Sequence, residues 1–459
     1  MDFEEHREEL LECIQDLLSR KQYAALRDQL VQLEAADIAA LFADLNEEQL
    51  PLLFRLLPKE PAAEVFVELD PDEQELLIRG FSNTELKEVL DELYVDDAAD
   101  LVEEMPANVA SRILAQADST LRNDINQILK YPEDSAGSVM TTEFVELKEN
   151  MTIGQALEHI RNVGLEKETV YTCYVTKNGK LLGTVAAKAL LVARDMEKGI
   201  KEIMEENCIS VLTTIDREEV SLLFKKYNLI ALPVVDGDNR LAGIITFDDV
   251  MDVMEQETTE DITIMSGQTP YEKPYKNTSA LSLYLHRIPW LLILMVSATF
   301  TGMIISHFEA ALAAQVVLTA FIPMLMDTGG NSGSQSSVTI IRAISLGELG
   351  FKDLPRVILK ELLTALFCGL TLAAVCFGKV MLVDGLMFGN ASVTVYVALV
   401  VSCTILLTVM VAKIVGCSLP IIAKKLGFDP AVMASPFITT AVDAISLLIY
   451  FGIASIMLF

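Results

Sequence analysis

The sequence predicts a multi-domain protein: an all-α N-terminal domain, an α/β pair, a connecting helix and an α-helical transmembrane bundle of five spans. Two observations lead to this fold class. The charge is concentrated in the first part of the chain, where 57 acidic and 26 basic residues precede residue 285. That part carries a net charge of −31, whereas the last 175 residues carry +1 and consist mainly of apolar runs. A strongly acidic soluble region is therefore joined to an almost uncharged membrane region.

The excess of acidic residues limits the kinds of partner that the protein can bind. A surface of this charge repels nucleic acid, and no basic stripe offsets the repulsion. Clustered carboxylates attract hard divalent cations, although a simply solvated acidic surface is the ordinary alternative. The seven cysteines are scattered without CxxC pairs, which is typical of a reducing cytosol. The acidic N-terminus, MDFEEHREELLE, lacks the apolar core of a signal peptide.

Residues 1–132 are predicted to form an acidic helical domain, because apolar residues recur at three- and four-residue spacing. An internal repeat is also present. Leu45, Leu69 and Leu93 are 24 residues apart, and each opens an acid-rich turn (LNEEQL, LDPDEQ, LYVDDAAD). Acids at such turns cap the helices that follow. A repeated helix–turn–helix unit of this length predicts a small superhelical array.

Residues 133–256 contain two copies of an α-β-β-α pattern. In each copy an amphipathic helix precedes two β-rich runs, which flank Asn178–Gly179 in the first copy and Asp236–Gly237 in the second. This arrangement resembles a tandem of CBS modules, which implies a regulatory unit that binds nucleotides or ions. The second copy carries Gly243, Thr246 and Asp249 at the positions that match the nucleotide-ribose pattern. The first copy, GTVAAKA, lacks the hydroxyl and the acid, so ATP binding and a purely structural, dimer-forming pair both remain open.

Residues 257–284 are predicted to form a connecting helix and linker, and residues 285–459 a five-span membrane domain. Basic residues before the first span, between the second and third, and between the fourth and fifth place the N-terminus in the cytosol and the C-terminus outside. Lys413, Lys424 and Lys425 form the last of these basic loops. The predicted spans are Ile288–Ser306, Ala310–Met326 with a Gly/Ser-rich continuation to Ile341, Leu362–Val383, Ala391–Ala412 and Pro430–Phe459.

Asp443 is the only charged residue of the predicted fifth span and lies near its middle. A carboxylate at this depth usually faces a bundle interior or a water-filled path, though a protonated Asp can also bond neighbouring helices. Thr439 and Ser435 lie on the same helical face, and Pro436 is expected to free a backbone carbonyl beside them. The second polar segment, MDTGGNSGSQSSVTIIR, is either a small-residue packing interface or part of an ion path.

These residues resemble the MgtE-type magnesium channel family over nearly the whole chain. The strings that carry the resemblance are TGGNSGSQ with the downstream IIRA, GFDPAVMASPF, and TTAVDAISLLIYF. The resemblance implies a homodimer in the lipid of the cell membrane, with a Mg²⁺ pore at its two-fold axis. Ser435 stands where the family often has Asn, and Asp327 is not a general feature of the family pattern. By resemblance the pore is lined by Asp443, Thr439, Ser435, Gly330 and Asn331.

The resemblance also gives the acidic region a role as a sensor. Cytosolic Mg²⁺ is expected to bridge the helical domain, the CBS pair and the connecting helix, and so to hold the pore shut. Asn228 stands where an acid is expected, which predicts one weaker sensor site. The matching positions are Asp96, Asp100, Asp216, Glu218, Asp249, Asp252, Glu257, Glu260 and Asp261.

Two other functions compete with a passive channel. The tripeptide Asp327-Thr-Gly is that of aspartic proteases, but it follows an apolar helical run instead of a β-loop. A proton-coupled divalent cation transporter, with Asp443 as the proton relay, is the stronger alternative. Such a relay requires other ionisable partners at membrane depth, and only Lys379, near a span end, is evident in the sequence. The sequence therefore favours a channel and not an enzyme.

Overall fold

A computed structural model describes residues 3–271, 275 and 278–458, and it describes the side chains from residue 6 onward except at position 435. The chain divides into two compact units, which meet in sequence between Val253 and Met254. One unit contains the helical domain and the α/β pair, and the other contains the long apolar helices. Each unit is described by itself below.

The first unit begins with ten helices that enclose one hydrophobic core. All are short, because turns interrupt the apolar periodicity after two or three helical turns. They are α1 (Phe3–Ser19), α2 (Tyr23–Leu30), α3 (Ala35–Phe42), α4 (Leu50–Phe54), α5 (Lys59–Val67), α6 (Pro71–Gly80), α7 (Asn83–Leu90), α8 (Val95–Glu104), α9 (Ala107–Gln116) and α10 (Ser119–Ile128).

The 24-residue repeat corresponds to the alternation of these helices. Each of the three acid-rich turns leads into an even-numbered helix, α4, α6 or α8. Leu69 and Leu93, which open two of the turns, are buried in the common core. Acids occupy the first turns of α6 and α8, where their charge interacts favourably with the helix dipole. The predicted helical array is therefore confirmed.

Two three-stranded sheets follow, and each has one parallel and one antiparallel strand pair. The first consists of β1 (Phe144–Lys148), β2 (Thr169–Lys177) and β3 (Lys180–Ala186), with helices α11 (Ile153–Val163) and α12 (Ala187–Val192). The second consists of β4 (Val211–Leu212), β5 (Ala231–Val235) and β6 (Leu241–Thr246), with helices α13 (Arg217–Tyr227) and α14 (Phe247–Met265).

The two hairpin turns differ from each other. Asn178 and Gly179 both have positive φ (55° and 80°), as the predicted two-residue turn requires. In the second hairpin the positive φ belongs instead to Asn239. There the Asp236 carboxylate accepts hydrogen bonds from the amides of Asp238 and Arg240, at 2.9 and 2.8 Å. The second turn is therefore longer than the predicted Asp236–Gly237 dipeptide, because an aspartate side chain organises it.

The second unit begins within α14 and continues with six further helices. Helix α18 extends as π-helical turns to Met387, and a 3₁₀ turn, Pro430–Met433, precedes α20. Among the described residues, four segments are long and apolar enough to cross a membrane: those of α15, α18, α19 and α20. The helices are α15 (Ala280–His307), α16 (Glu309–Ala314), α17 (Ile322–Ser345), α18 (Leu354–Lys379), α19 (Val395–Lys425) and α20 (Ser435–Met457).

The predicted second span, Ala310–Met326, is wrong as a continuous helix. Helix α16 ends at Ala314, a 3₁₀ segment covers Val316–Phe321, and α17 starts only at Ile322. Helix α17 has 24 residues, but its glycines and serines leave it outside the four apolar segments. It packs against both α19 and α20, so the polar segment of the sequence is a central helix of this unit.

Candidate ion path and cation-sensing residues

A polar cavity of about 180 Å³ lies between α17 and α20. Met326, Asp327, Gly330 and Asn331 line it from α17, and Thr439 and Asp443 line it from α20. The structure therefore brings together Asp443, Thr439, Gly330 and Asn331, which the sequence proposed as pore residues. It also adds Asp327, a second carboxylate that the sequence analysis did not include among them.

Glycines explain how two helices approach closely enough to form this cavity. A Cβ built on Gly330 would lie 3.0 Å from Thr439 Cγ2, so a larger residue there would separate α17 from α20. One turn further, a Cβ on Gly416 of α19 would lie only 2.2 Å from the Gly333 carbonyl oxygen. Small residues therefore fix α17 between its two neighbours, as is common in membrane helix packing.

The start of α20 differs from the prediction in one respect. Pro436 lies in the first turn of the helix, where an amide has no helical acceptor in any case. Pro436 therefore frees no interior carbonyl, and its own carbonyl accepts the hydroxyls of Thr439 and Thr440 at 2.9 and 3.0 Å. The side chain of Ser435 lies outside the described residues, so its predicted place in the path stays a prediction.

A buried ion pair joins the three helices α17, α18 and α19. Lys413 is 5% exposed, and its Nζ lies 3.9 Å from a carboxylate oxygen of Glu361. Ser336 bridges them: its hydroxyl accepts from Lys413 Nζ at 3.2 Å and donates to Glu361 at 2.6 Å. The prediction that Lys413 lies in a basic loop is wrong, because α19 continues beyond it for three turns. From the sequence only Lys379 was evident as an ionisable partner at membrane depth, so this pair was not predicted.

In the first unit, carboxylates from three elements face one another. Asp96 and Asp97 lie in the first turn of α8, Glu143 and Glu168 lie next to β1 and β2, and Asp249 lies in the first turn of α14. We call these five residues the acidic cluster. Its carboxylates interact electrostatically across the elements, since the charge of Asp249 raises the pKa of both Asp96 and Glu168. The sequence predicted Asp96 and Asp249 as sensor residues and missed the other three.

Burial and mutual repulsion dominate the electrostatics of the acidic cluster. Asp96 is 7% exposed, and burial, followed by the charge of Asp249, raises its pKa well above the usual range. Burial raises the pKa of Asp97 to about 7 and that of Glu168 to about 8, and neighbouring carboxylates add to both shifts. Within the described residues, Asp96 Oδ1 and Glu168 Oε2 are buried without a hydrogen-bond partner. A divalent cation would supply the missing charge and ligand contacts.

The other predicted sensor residues lie at the edge of the acidic cluster or outside it. Asp100, in the second turn of α8, lies at the edge, since burial and the charges of Glu104, Asp97 and Asp249 raise its pKa to about 7. Asp216 is an exposed N-cap that accepts the Glu218 amide of α13 at 2.8 Å. Across the part of the chain that the structure describes, no three His, Cys, Asp or Glu side chains are arranged to hold a metal ion by themselves. The remaining predicted residues, Asp252, Glu257, Glu260 and Asp261, follow one another along α14.

The residues that match the nucleotide-ribose pattern lie together at the end of β6. Asp249 Oδ2 accepts the backbone amide of Thr246 at 3.1 Å and also its hydroxyl. Gly243 lies against Thr141, where a Cβ would be 2.6 Å from the carbonyl oxygen. Asp249 therefore belongs both to the predicted nucleotide pattern and to the acidic cluster.

In the second unit, the end of α14 contacts the two helices that line the cavity. Ile264 and Met265 pack with Ile341 of α17 and with Ala431 and Ala434 just before α20. The Ser345 hydroxyl, at the end of α17, donates to Asp261 Oδ2 at 2.8 Å.

Gly267 forms a further contact just beyond α14. It has φ +71°, and a Cβ there would lie 2.5 Å from the Trp290 ring and 3.0 Å from Pro436. The glycine therefore allows the chain after α14 to fit closely against α15 and the first turn of α20.

Apolar helices around a carboxylate-lined cavity, with an acidic α/β pair attached, define a multi-pass membrane protein of the ion-transport class. Residues 322–453 match the family profile described as divalent cation transporter, and residues 33–134 match the MgtE intracellular N domain. Residues 136–195 and 200–256 match the CBS domain.

The chain is similar over nearly its whole length to characterised proteins. It is 36% identical to the magnesium transporter MgtE of Thermus thermophilus, over 98% of this chain and 99% of the relative. It is 31% identical to that of Bacillus subtilis, over 98% and 97%. A crystal structure of the cytosolic domain of the Mg²⁺ channel MgtE in complex with ATP covers 53% of this chain and 99% of its own, with a TM-score of 0.51 and 35% identity. The chain belongs to the MgtE family, a family of transporters and not of enzymes.

Proposed function

We propose that this protein imports Mg²⁺ through the cavity between α17 and α20. The observation that carries the proposal is the arrangement of Asp443, Thr439, Gly330 and Asn331 around one cavity in a unit built mainly of apolar helices. Mg²⁺ gives up its waters reluctantly and binds proteins through one or two carboxylates while keeping several waters. A half-buried carboxylate beside a hydroxyl and an amide suits such a hydrated ion. The ion is the substrate here, and its path requires no proton relay.

Replacing Asp443 by asparagine is expected to reduce Mg²⁺ uptake by at least about tenfold, because the ion loses its main charged ligand at nearly constant side-chain volume. Uptake is measured at low and at high internal Mg²⁺, with and without a proton gradient. Glu348→Gln, which removes an exposed carboxylate after α17, is the matched control and should transport normally. Undiminished uptake by Asp443→Asn would refute the path, and strict dependence on a proton gradient would favour the transporter alternative.

We also propose that cytosolic Mg²⁺ closes the path. The acidic cluster supports this, since burial and mutual repulsion raise the pKa of its carboxyl groups, and among the described residues Asp96 Oδ1 and Glu168 Oε2 are buried without a hydrogen-bond partner. A cation held there would stabilise one arrangement of the acidic surfaces, and its loss would let them separate. Asp100, Asp216, Glu218, Asp252, Glu257, Glu260 and Asp261 would extend the sensor through water-mediated contacts.

The contacts of α14 supply a route from the sensor to the path. Its last turn packs against the ends of α17 and α20, so a shift of α14 changes the packing beside the cavity-lining helices. We assign this docked position to the closed state. An open state then requires Ile264, Met265 and Gly267 to leave their contacts.

Gly267→Ala is therefore expected to leave uptake active at high internal Mg²⁺, where the wild-type protein closes. The new Cβ would meet the Trp290 ring and so prevent docking. Gly427→Ala is the matched control, because Gly427 also has a positive φ of +80° but nothing within 4 Å of a Cβ. Mg²⁺ uptake against internal Mg²⁺ measures the difference. Equal closure in the two variants would show that docking at Gly267 does not control the path.

We also propose an assembly, a membrane orientation and a nucleotide site for the chain. The chain forms a homodimer in the lipid bilayer of the cell membrane, with its N-terminus in the cytosol and its C-terminus outside. Its basic residues between the spans support this orientation. The CBS pair binds ATP at the end of β6, near Gly243, Thr246 and Asp249. The ATP complex of the similar cytosolic domain supports this last assignment.

A further inference from the structure

Helix α17 presents an exposed polar stripe along one side. Asp327, Asn331 and Gln335 are one helical turn apart, and all three side chains are exposed. The Asn331 amide donates to Asp327 Oδ1 at 3.0 Å, which orients the carboxylate along the stripe. Ionisable and amide groups on a spanning helix avoid lipid and face water or protein. The stripe therefore borders either water or a further protein surface, and not lipid.

The position of Asp327 within that stripe distinguishes it from an ordinary surface acid. It lines the same cavity as Asp443, from the other helix, and Gly330 and Thr439 line that cavity as well. A water molecule occupies about 30 Å³ in the liquid, so a cavity of about 180 Å³ has room for an ion with several of its waters. Two carboxylates that share a small cavity repel each other unless a cation lies between them.

We propose that Asp327 is a second acidic residue of the ion path and determines its preference for divalent over monovalent cations. Each chain contributes two carboxylates, and at a given distance their combined charge attracts a divalent ion about twice as strongly as a monovalent one. Asp327 contacts the ion through its water shell, on the side opposite Asp443. The inference rests on the proposed path at Asp443 and adds to it the charge that the second helix contributes.

Three variants of Asp327 separate this role from a simpler one, in which Asp327 only orients Asn331. Asp327→Asn keeps an oxygen that accepts the Asn331 hydrogen bond but removes the charge. Asp327→Ala removes both, and Asp327→Glu keeps the charge. Glu348→Gln removes an equal charge outside the cavity, and all four variants are checked for correct folding by size-exclusion chromatography in detergent.

For Asp327→Asn we expect the KM for Mg²⁺ to rise about tenfold, with a smaller change in maximal rate. Sodium flux relative to Mg²⁺ flux should rise as well, and Asp327→Glu should stay close to wild type. A normal KM and normal sodium flux in Asp327→Asn, together with a defect in Asp327→Ala, would overturn the proposal in favour of an orienting role. An equal change in Glu348→Gln would overturn it in favour of a general charge effect.

Uptake by Asp443→Asn distinguishes a failure of the proposed path from a failure of the proposed role of Asp327. If Asp443→Asn loses uptake while Asp327→Asn behaves as wild type, only the role of Asp327 is refuted. If Asp443→Asn transports normally, the path itself is refuted, whatever Asp327→Asn does.

Discussion

Replacing Lys413 by methionine is expected to lower the stability of the membrane unit by about 3–5 kcal/mol, the usual cost of removing one partner from a buried ion pair. Methionine has a similar length but leaves Glu361 of α18 without its cationic partner. The side chains of Lys413 and Glu361 are only 6% and 15% exposed, so water cannot replace the lost partner. Ser336 also loses its contact with Lys413 Nζ. Thermal unfolding of the purified protein in detergent, followed by circular dichroism, measures the loss.

Two variants test whether the ion pair causes this effect. Lys379→Met breaks the pair with Asp384, but Lys379 is 44% exposed, so the expected cost is at most about 1 kcal/mol. The double variant Lys413→Met with Glu361→Leu removes both charges and should recover most of the lost stability, because apolar side chains then replace the pair. A Lys413→Met protein as stable as Lys379→Met, or a double variant no more stable than Lys413→Met, would contradict the prediction.

The Lys413–Glu361 pair shows where sequence analysis of the membrane unit failed. Basic residues near predicted span ends were counted as loop charges. A lysine in the middle of a long helix cannot be told from a loop lysine when its partner lies 52 positions away on another helix. The start of α17 was misplaced for a related reason, since hydropathy does not distinguish a 3₁₀ segment such as Val316–Phe321 from an α-helix.

Short-range patterns were more informative. The period of 24 residues predicted the helical array, and Asn178–Gly179 predicted the first hairpin turn, because both features depend on residues close in sequence. Helical spacing alone predicted that Asp443 and Thr439 lie on the same face of one helix. Their meeting with Gly330 and Asn331 in one cavity depends on the contact of α17 with α20, as does the inclusion of Asp327. The sequence alone could not predict that these residues meet; only the resemblance to the family implied it.

The acidic cluster also forms through contacts between elements that are distant in sequence, as the cavity does. Asp96 and Asp249 were predicted as sensor residues by resemblance. Glu143 and Glu168 had no motif to identify them, because they flank strands of the first sheet and meet α8 and α14 only in the folded chain. The Val95 amide donates to Glu143 at 3.1 Å, and this bond fixes the start of α8 against the first sheet. The cluster therefore depends on how the helical domain packs against the α/β pair.

In the absence of divalent cations, the first unit, residues 1–253, is expected to lose stability as pH rises from about 5 to about 8. Burial raises the pKa of Asp97 to about 7 and of Glu168 to about 8, and it raises the pKa of Asp96, Glu143 and Asp249 as well. The folded state therefore holds protons that the unfolded chain releases near pH 4, so stability is greatest below pH 4 and is lost as pH rises through the raised values. The charge of Asp248 adds to this effect, and that of Lys167 partly offsets it near Glu143.

The half-exposed members of the cluster contribute less than their shifts suggest, so we expect a total loss of roughly 2–4 kcal/mol. For a unit of this size that loss corresponds to a decrease of about 5–10 °C in Tm. Mg²⁺ should reverse most of it at pH 8 and have little effect at pH 5, because protonated carboxylates no longer need a counter-charge. The double variant Asp96→Asn, Asp249→Asn should show a flatter pH profile and a weaker response to Mg²⁺. Asp238→Asn, in the exposed β5–β6 turn, should match wild type. A wild-type Tm that is constant from pH 5 to 8, or that rises, would show that the carboxylates of the acidic cluster are not held together against their charge.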